Sequence, residues 1–492
     1  MSYFEPDADL LAASDKALKS INVGRLQPAA NTFDVHDPAT EEVIASLPDH
    51  TPEDALAALA KADAAGKEWA KTSPRKRSDV LHAVYAKLIE NKDTLAYVIS
   101  REMGKPLAEG YAEVQYSADY VRWFAEEALR AQGLYRDSPA GDATILVRRS
   151  PVGNAVLIAP WNFPMAMATR KIAPALAAGC ACVVKPANLT PLTTVIVLDL
   201  MIQAGVPEDL VQVITTTNAS GFSSTLLADQ RVRKISFTGS TPVGSTLMGL
   251  AAKNIVKSSM ELGGNAPLLV FDDADLDRAV EGAILAKMRN GGQTCVAANR
   301  MFIQEGIADA FVEKFTAAMA AHKLGNAMNK ETTLGPVIDD RAVQRLQHLV
   351  DDAVAKGATL KTGGKSPDRP GHYFEPTVLD NVPAIADIAT TEIFGPVAAI
   401  TRFKTQAEAI EKANDTEFGL AAFVFTQDLD RAINVAEALE TGMVGINNGL
   451  LSNIAAPFGG VKASGTGREG GAEGLDEYQE IRYFTMKRRE TN

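Results

Sequence analysis

Cysteine is nearly absent, with three residues in a chain of 492. So few cannot build a disulfide framework, and a reducing cytoplasm, where a lone thiol stays free, is the expected location. Histidine is scarce too, with six in all. The nearest to Cys295 is His322, 27 positions on, so no local Cys–His pair is visible. No apolar segment reaches the ~18 residues of a membrane span. The stretch "ILVRRSPVGNAVLIAP" is interrupted by Arg148 and Arg149. The N-terminus lacks a basic start followed by an apolar run, so no signal peptide is expected. Net charge is −12, and such a surface repels phosphate backbones. Neither nucleic acid nor a membrane is an expected partner. No repeat or low-complexity linker appears, which favours interleaved domains.

What is present is an ordinary globular composition, 46% apolar and 22% charged. The length is too great for one core, so two or three domains are expected. Residues 52–95 place apolar side chains at helical spacing. "TILVRRSPVGNAVLIAP" reads as two strands around a Pro-Val-Gly turn. From residue 155, apolar strands ("AVLIA", "ACVVKP", "VQVIT", "VRKISFTGS") alternate with helices, which predicts a parallel sheet covered on both faces. A second alternation begins at "APLLVFDDADLDRAVEGAILAKM" and continues through "MFIQEG", "AAITRF", "AAFVFT" and "GMVGINN". The fold class is therefore α/β. Ligands of such sheets bind beyond the carboxyl ends of the strands, where "PWNFP", "KPANLTP" and "FTGSTPVG" fall.

Three stretches carry candidate chemistry. In "RNGGQTCVAANR", Cys295 has Gly291 and Gly292 before it, with Gln293, Thr294, Asn299 and Arg300 around it. That is a poor apolar packing site and reads as an exposed loop with a nucleophile; the competing reading is a small buried hydrophobe. Cys180 and Cys182, in an apolar strand, take the bland reading. In "MELGGNAP", Glu261 beside Gly263 and Gly264 reads as a base near a close backbone approach, or as a strand-end glutamate facing water. In "PWNFP", the Asn162 amide reads as an oxyanion donor or as a helix cap.

Taken together, "PWNFP", "KPAN", "FTGSTPVG", "MELGGNAP", "GQTC", "EIFGP" and "PFGGVKASGTGRE" resemble, in order and spacing, the aldehyde dehydrogenase superfamily over nearly the whole chain. Within it, "RNGGQTCVAANR" and "GINNGLLSNIAAPFGGVKASGTGREG" look most like succinate-semialdehyde dehydrogenases. The resemblance implies a Rossmann-type cofactor domain (1–130 and 151–259), an α/β catalytic domain (260–455) and small oligomerisation strands (131–150 and 475–492), giving a homodimer or homotetramer. It implies that the Cys295 thiolate attacks an aldehyde. Asn162 and the cysteine's own N–H then hold the oxyanion of a thiohemiacetal. Hydride leaves to the nicotinamide, and Glu261 activates water to hydrolyse the thioester. Lys171 and Glu469 match proton-relay positions, or form an ordinary salt bridge. Lys185 would bind the adenosine ribose and Ser240 would sit by the pyrophosphate. Glu392 would hold the nicotinamide ribose, with Trp161 and Phe394 in the same cofactor site. Arg170, Arg289 and Ser452 match residues that hold a substrate carboxylate. The bland alternatives are a surface ion pair for Arg170 and a helix C-terminal cation for Arg289. No metal is implied.

The chain departs from the family in places. Thr216 and Ser223 stand where glycines are common, which leaves the backbone path near the pyrophosphate open. Ala297 replaces a second cysteine that forms a reversible disulfide in related enzymes, so that redox switch is expected to be missing. Asn188 occupies a position where NAD-preferring members often carry glutamate, so NADP is expected, with NAD possible; alternatively Asn188 caps the next helix. The expected reaction is oxidation of succinate semialdehyde, or a similar short ω-carboxy aldehyde, to the free acid. Glu261 argues against the acyl-coenzyme-A branch, which typically lacks it. The competing readings are the same chemistry on an uncharged or aromatic aldehyde, and a non-catalytic protein that kept the fold.

Overall fold

The structure, a computed structural model, describes residues 3–487. Residues 488–492 of the expected C-terminal oligomerisation segment lie outside the described residues. Two large sheets dominate. The first has Asn154–Ile158 at its centre. Cys182–Lys185 and Val211–Val213 run parallel on one side, and Val232–Thr238 and Lys257–Glu261 on the other. Gly465–Thr466 returns from the far end of the chain to pair antiparallel with Lys257–Glu261. The apolar runs read as buried strands because both faces are covered. Val156, Leu157, Val183 and Val184 are fully enclosed, and each stabilises the sheet by about 1.5–3 kcal/mol.

The second sheet has seven strands. Pro267–Val270, Arg300–Gln304, Val397–Phe403, Thr377–Asp380, Ala421–Phe425 and Met443–Ile446 are parallel, and Thr359–Thr362 adds an antiparallel edge. A third sheet is antiparallel, with Ala143–Pro151 between Leu134–Asp137 and Gln479–Lys487. The Pro-Val-Gly turn therefore does not close a hairpin. It passes the chain from this small sheet into the first large one, with Gly153 at φ 123° packed on Arg233.

The Pro164–Ala178 helix shows how local chemistry sets an element that matters for the site. It is alanine-rich and opens on Pro164, where a missing N–H costs nothing. It stops at Gly179, whose φ of 100° is left-handed. All its residues are buried. Its N–H groups at Met165 and Ala166 donate to Glu113 of the Leu107–Glu127 helix, at 2.9 and 3.2 Å. Cys180 lies just before the strand, not in it, because the chain straightens only at Cys182. Both cysteines are buried, which pushes their thiols up, Cys180 to about 11. Among the described residues no helix is long and apolar enough to cross a membrane, and no cluster of three or more His, Cys, Asp or Glu could hold a metal ion.

Candidate active site

In the first sheet, successive crossovers run outward in opposite directions from Asn154–Ile158 and Val232–Thr238. Such a reversal opens a crevice beyond the strand ends. A cavity of about 270 Å³ lies there, lined by Trp161 and Asn162 after one strand and by Gly239 and Ser240 after the other. The second sheet contributes its facing wall, including Arg289, Cys295, Glu392 and Phe394. Glu261, Arg170 and Ser452 also line it. The cavity thus gathers ten of the expected residues. Lys171 and Glu469 touch two of its lining residues, Thr238 and Arg170, whereas Lys185 and Asn188 lie outside its lining.

The Cys295 loop is not exposed, contrary to the reading from its polar residues. Gly291 to Thr294 and Val296 to Arg300 are buried, and Cys295 alone is partly open. Most of its polar groups are satisfied internally, Asn290 Oδ1 being the one without a partner among the described residues. Gln293 Oε1 accepts the Ile338 N–H at 3.0 Å, and Asn299 Nδ2 donates to Asn265 Oδ1 at 2.5 Å. Composition signalled a shaped loop; only packing shows that it is shaped by buried hydrogen bonds. Burial pushes the Cys295 thiol up to about 12, partly offset by the Arg170 charge. Asn162 does not cap the helix after it, since Glu113 does. Its Nδ2 donates to the Gln293 carbonyl at 3.1 Å, leaving a second amide hydrogen available.

Glu261 ends its strand inside the protein, not in water. It is 2% exposed, and neither carboxylate oxygen has a hydrogen-bond partner. Burial and the Glu469 charge push its proton affinity well above the carboxylate range, while Arg170 and Lys171 pull it back. Lys171 donates to Glu469 and, at 3.0 and 2.7 Å, to Ser236 and Thr238. Arg170 Nε lies 2.5 Å from the other oxygen of Glu469. Despite the cost of burying Glu469, these two cations hold it down at about 2. The Arg170 ion pair is therefore buried, not a surface pair, and its guanidinium also sits 4.4 Å from the centre of the Phe458 ring.

Arg289 is different. It follows the Leu276–Met288 helix, and Nη1 donates to Ser452 Oγ at 2.8 Å. Its guanidinium lies 5.0 Å from the Phe163 ring centre and 5.6 Å from that of Tyr116. Among the described residues it forms no ion pair, although Glu109 feels its charge.

The remaining expected residues form a set suited to a dinucleotide. Lys185, buried, donates to Asn188 Oδ1 at 3.2 Å, and burial lowers it to about 8. Asn188 does not cap the following helix, because Glu102 takes the Leu192 and Thr193 N–H groups. Ser240 lines the cavity, precedes the Thr241–Ala252 helix and makes no side-chain cap. Glu392 accepts the Gly264 N–H at 3.2 Å and is pushed up to about 7 by burial. Phe394, at a left-handed φ of 49°, meets Trp161 edge-on at 5.4 Å. Buried donors for phosphate and acceptors for ribose hydroxyls are both present, so the residues fit such a cofactor. Thr216 and Ser223 need no glycine, since no residue between 214 and 223 has a positive φ.

Sequence reasoning missed Glu109, Glu113, Lys105 and Asn290. Lys105 donates to Glu113 at 2.5 Å and to the Asn162 carbonyl at 2.8 Å. One signal was available: Glu113 falls with Gly110, Val114 and Ser117 on the buried face of its helix. A charge at core spacing marks a partnered group.

A succinate-semialdehyde dehydrogenase of Paenarthrobacter nicotinovorans is 51% identical over 90% of this chain and 98% of its own length. An Escherichia coli (strain K12) NADP(+) succinate-semialdehyde dehydrogenase is 46% identical over 92% of this chain and 94% of its own. The crystal structure of a Burkholderia pseudomallei succinate-semialdehyde dehydrogenase superposes with a TM-score of 0.93 at 46% identity, covering 94% of this chain and 96% of that one. Residues 26–484 match the aldehyde dehydrogenase family, and the chain belongs to it.

Proposed function

We propose that this enzyme oxidises succinate semialdehyde, or a similarly short aldehyde with a distal carboxylate, to the free acid with NADP or NAD. One observation carries the substrate reading: Arg289, held by Ser452 and without an ion pair among the described residues, lines the cavity that holds Cys295. A guanidinium presents paired donors in a plane, which matches a carboxylate. Arg170 lines the same cavity, but Glu469 already neutralises it. Its role is to steady that carboxylate, with the clamp charge coming from Arg289. The three relatives named above, all succinate-semialdehyde dehydrogenases, support the same substrate class.

In this reading Cys295 attacks the aldehyde carbon, and the Asn162 amide donates to the developing oxyanion. A nicotinamide cofactor held by Glu392, Trp161 and Phe394 would supply the hydride acceptor for the thiohemiacetal carbon. Glu261 then takes a proton from the water that releases the acid. Lys171, Glu469 and Arg170 form a buried charge group beside Glu261 and connect it to Ser236 and Thr238. Lys185, Asn188, Ser240, Glu392, Trp161 and Phe394 hold the cofactor. The first sheet with the N-terminal helices serves as the cofactor-binding domain and the second as the catalytic domain. The third sheet exposes Tyr135, Ile481 and Tyr483 by more than 60% on its outer strands. Open edges bearing apolar side chains favour pairing with a second copy, as a dimer or tetramer. A cytoplasmic location accords with the free thiols.

Arg289→Ala tests the substrate reading. Losing the clamp should cost about 2–4 kcal/mol, on the order of 30- to 1000-fold in kcat/KM, on succinate semialdehyde. On butyraldehyde the loss should be small. Equal losses on both aldehydes would remove the clamp role.

Cofactor choice gives a second prediction. Asn188 brings no negative charge to repel a 2′-phosphate, and Lys185 beside it can pair with one. A carboxylate at contact distance would cost several kcal/mol when partly desolvated. The wild type should therefore show a modest NADP preference in kcat/KM, and Asn188→Glu should lower the NADP-to-NAD ratio. A wild-type ratio well below one, or an unchanged ratio in the variant, contradicts this assignment.

A further inference from the structure

The two halves of the proposed oxyanion site come from different sheets. Asn162 follows the Asn154–Ile158 strand of the first, and Cys295 follows the Leu276–Met288 helix of the second. Chain continuity therefore does not set their separation. Side-chain amides do. Asn290 Nδ2 donates to the Asn162 carbonyl at 3.0 Å and to the Gln293 carbonyl at 3.0 Å. Asn162 Nδ2 donates to that same Gln293 carbonyl at 3.1 Å. Asn290 is itself held firmly. It is 1% exposed, and its backbone N–H donates to Glu109 of the Leu107–Glu127 helix at 2.9 Å. Its φ of 56° lies in the left-handed region, which asparagine tolerates better than most side chains.

We propose that Asn290 is a positioning residue for acylation. Its carboxamide ties the Asn162 turn to the Cys295 loop and sets the distance between the oxyanion donor and the attacking sulfur. The inference rests on the assignment of Asn162 and Cys295 given above. The physical need is clear from the geometry. Without the bridge, each of the two buried carbonyls loses a donor, and only the Asn162 Nδ2 bond to the Gln293 carbonyl still joins turn to loop, so their spacing is less tightly fixed. An error of about 1 Å at a reacting centre costs on the order of 100-fold.

Asn290→Gly keeps the left-handed backbone and the N–H to Glu109 but removes the carboxamide. It should lower kcat by about 10- to 100-fold while the aldehyde KM and the dinucleotide Kd stay within about two-fold. In an Asn162→Ala background the same change should cost less than about three-fold, because the donor it positions is gone. Asn290→Asp keeps the shape but turns carboxylate oxygens toward the two carbonyls. It should lose at least as much kcat, and it carries the test if the glycine variant does not fold. A normal kcat in either variant, a loss that falls on KM, or losses that multiply in the double variant would overturn the role. An Asn162→Ala protein with the wild-type rate would instead remove the oxyanion assignment itself. That outcome is distinct from a silent Asn290→Gly beside an impaired Asn162→Ala.

Discussion

A Cys295→Ala protein is expected to lose all dehydrogenase activity while folding and binding dinucleotide as before. The loop around Cys295 is held by Asn290, Gln293 and Asn299, none of whose hydrogen bonds runs through the sulfur. Removing the sulfur should therefore leave the loop, and the cofactor residues across the cavity, in place. The chemistry has no substitute: of the two other thiols, one lies before and one at the start of a buried strand, and neither lines the cavity that holds Cys295. The check is a purified variant with its thermal midpoint and dinucleotide affinity measured beside its turnover. Full activity would remove Cys295 as the nucleophile. The wild-type thiol is itself pushed up to about 12 by burial, so it is neutral at rest and needs help to ionise. The alkylation rate by iodoacetamide should accordingly rise with pH well above neutrality.

Glu261→Gln should fail at a different step. One equivalent of reduced cofactor should appear in a burst, followed by a stall at the thioester, because hydrolysis demands more from the base than acylation does. The side chain is buried with both oxygens unpartnered, so glutamine fits the same space without displacing a hydrogen bond. The pH dependence follows from the direction of its shift. Glu261 holds its proton well above the usual carboxylate range, and only the ionised form accepts a proton from water. Steady-state turnover should thus climb as pH rises through that elevated value. The glutamine variant should lose this climb while keeping the burst. A normal steady-state rate in the variant would show that another group serves as base.

The order of seven short motifs was enough to identify the family, and the alternation of apolar strands with helices was enough for the α/β class. These were legible because buried parallel strands have no choice but to be continuously apolar. The residue types at Cys295, Glu261 and Asn162 also suggested the roles proposed for them, since few side chains can serve as nucleophile, base or amide donor. What the sequence could not show was environment. The polar residues beside Cys295 looked solvent-facing, yet they are consumed by buried hydrogen bonds. Glu261 and Asn188 each had a bland alternative that only neighbours from distant segments removed: Glu469 and Arg170 for one, Glu102 for the other. The same holds for the two arginines. Arg170 and Arg289 look alike in a sequence, and only tertiary structure puts Glu469 against the first and leaves the second without an ion pair among the described residues. Motif order and periodicity are properties of the chain, whereas the charge a side chain has left to offer depends on long-range contacts, which sequence spacing does not encode.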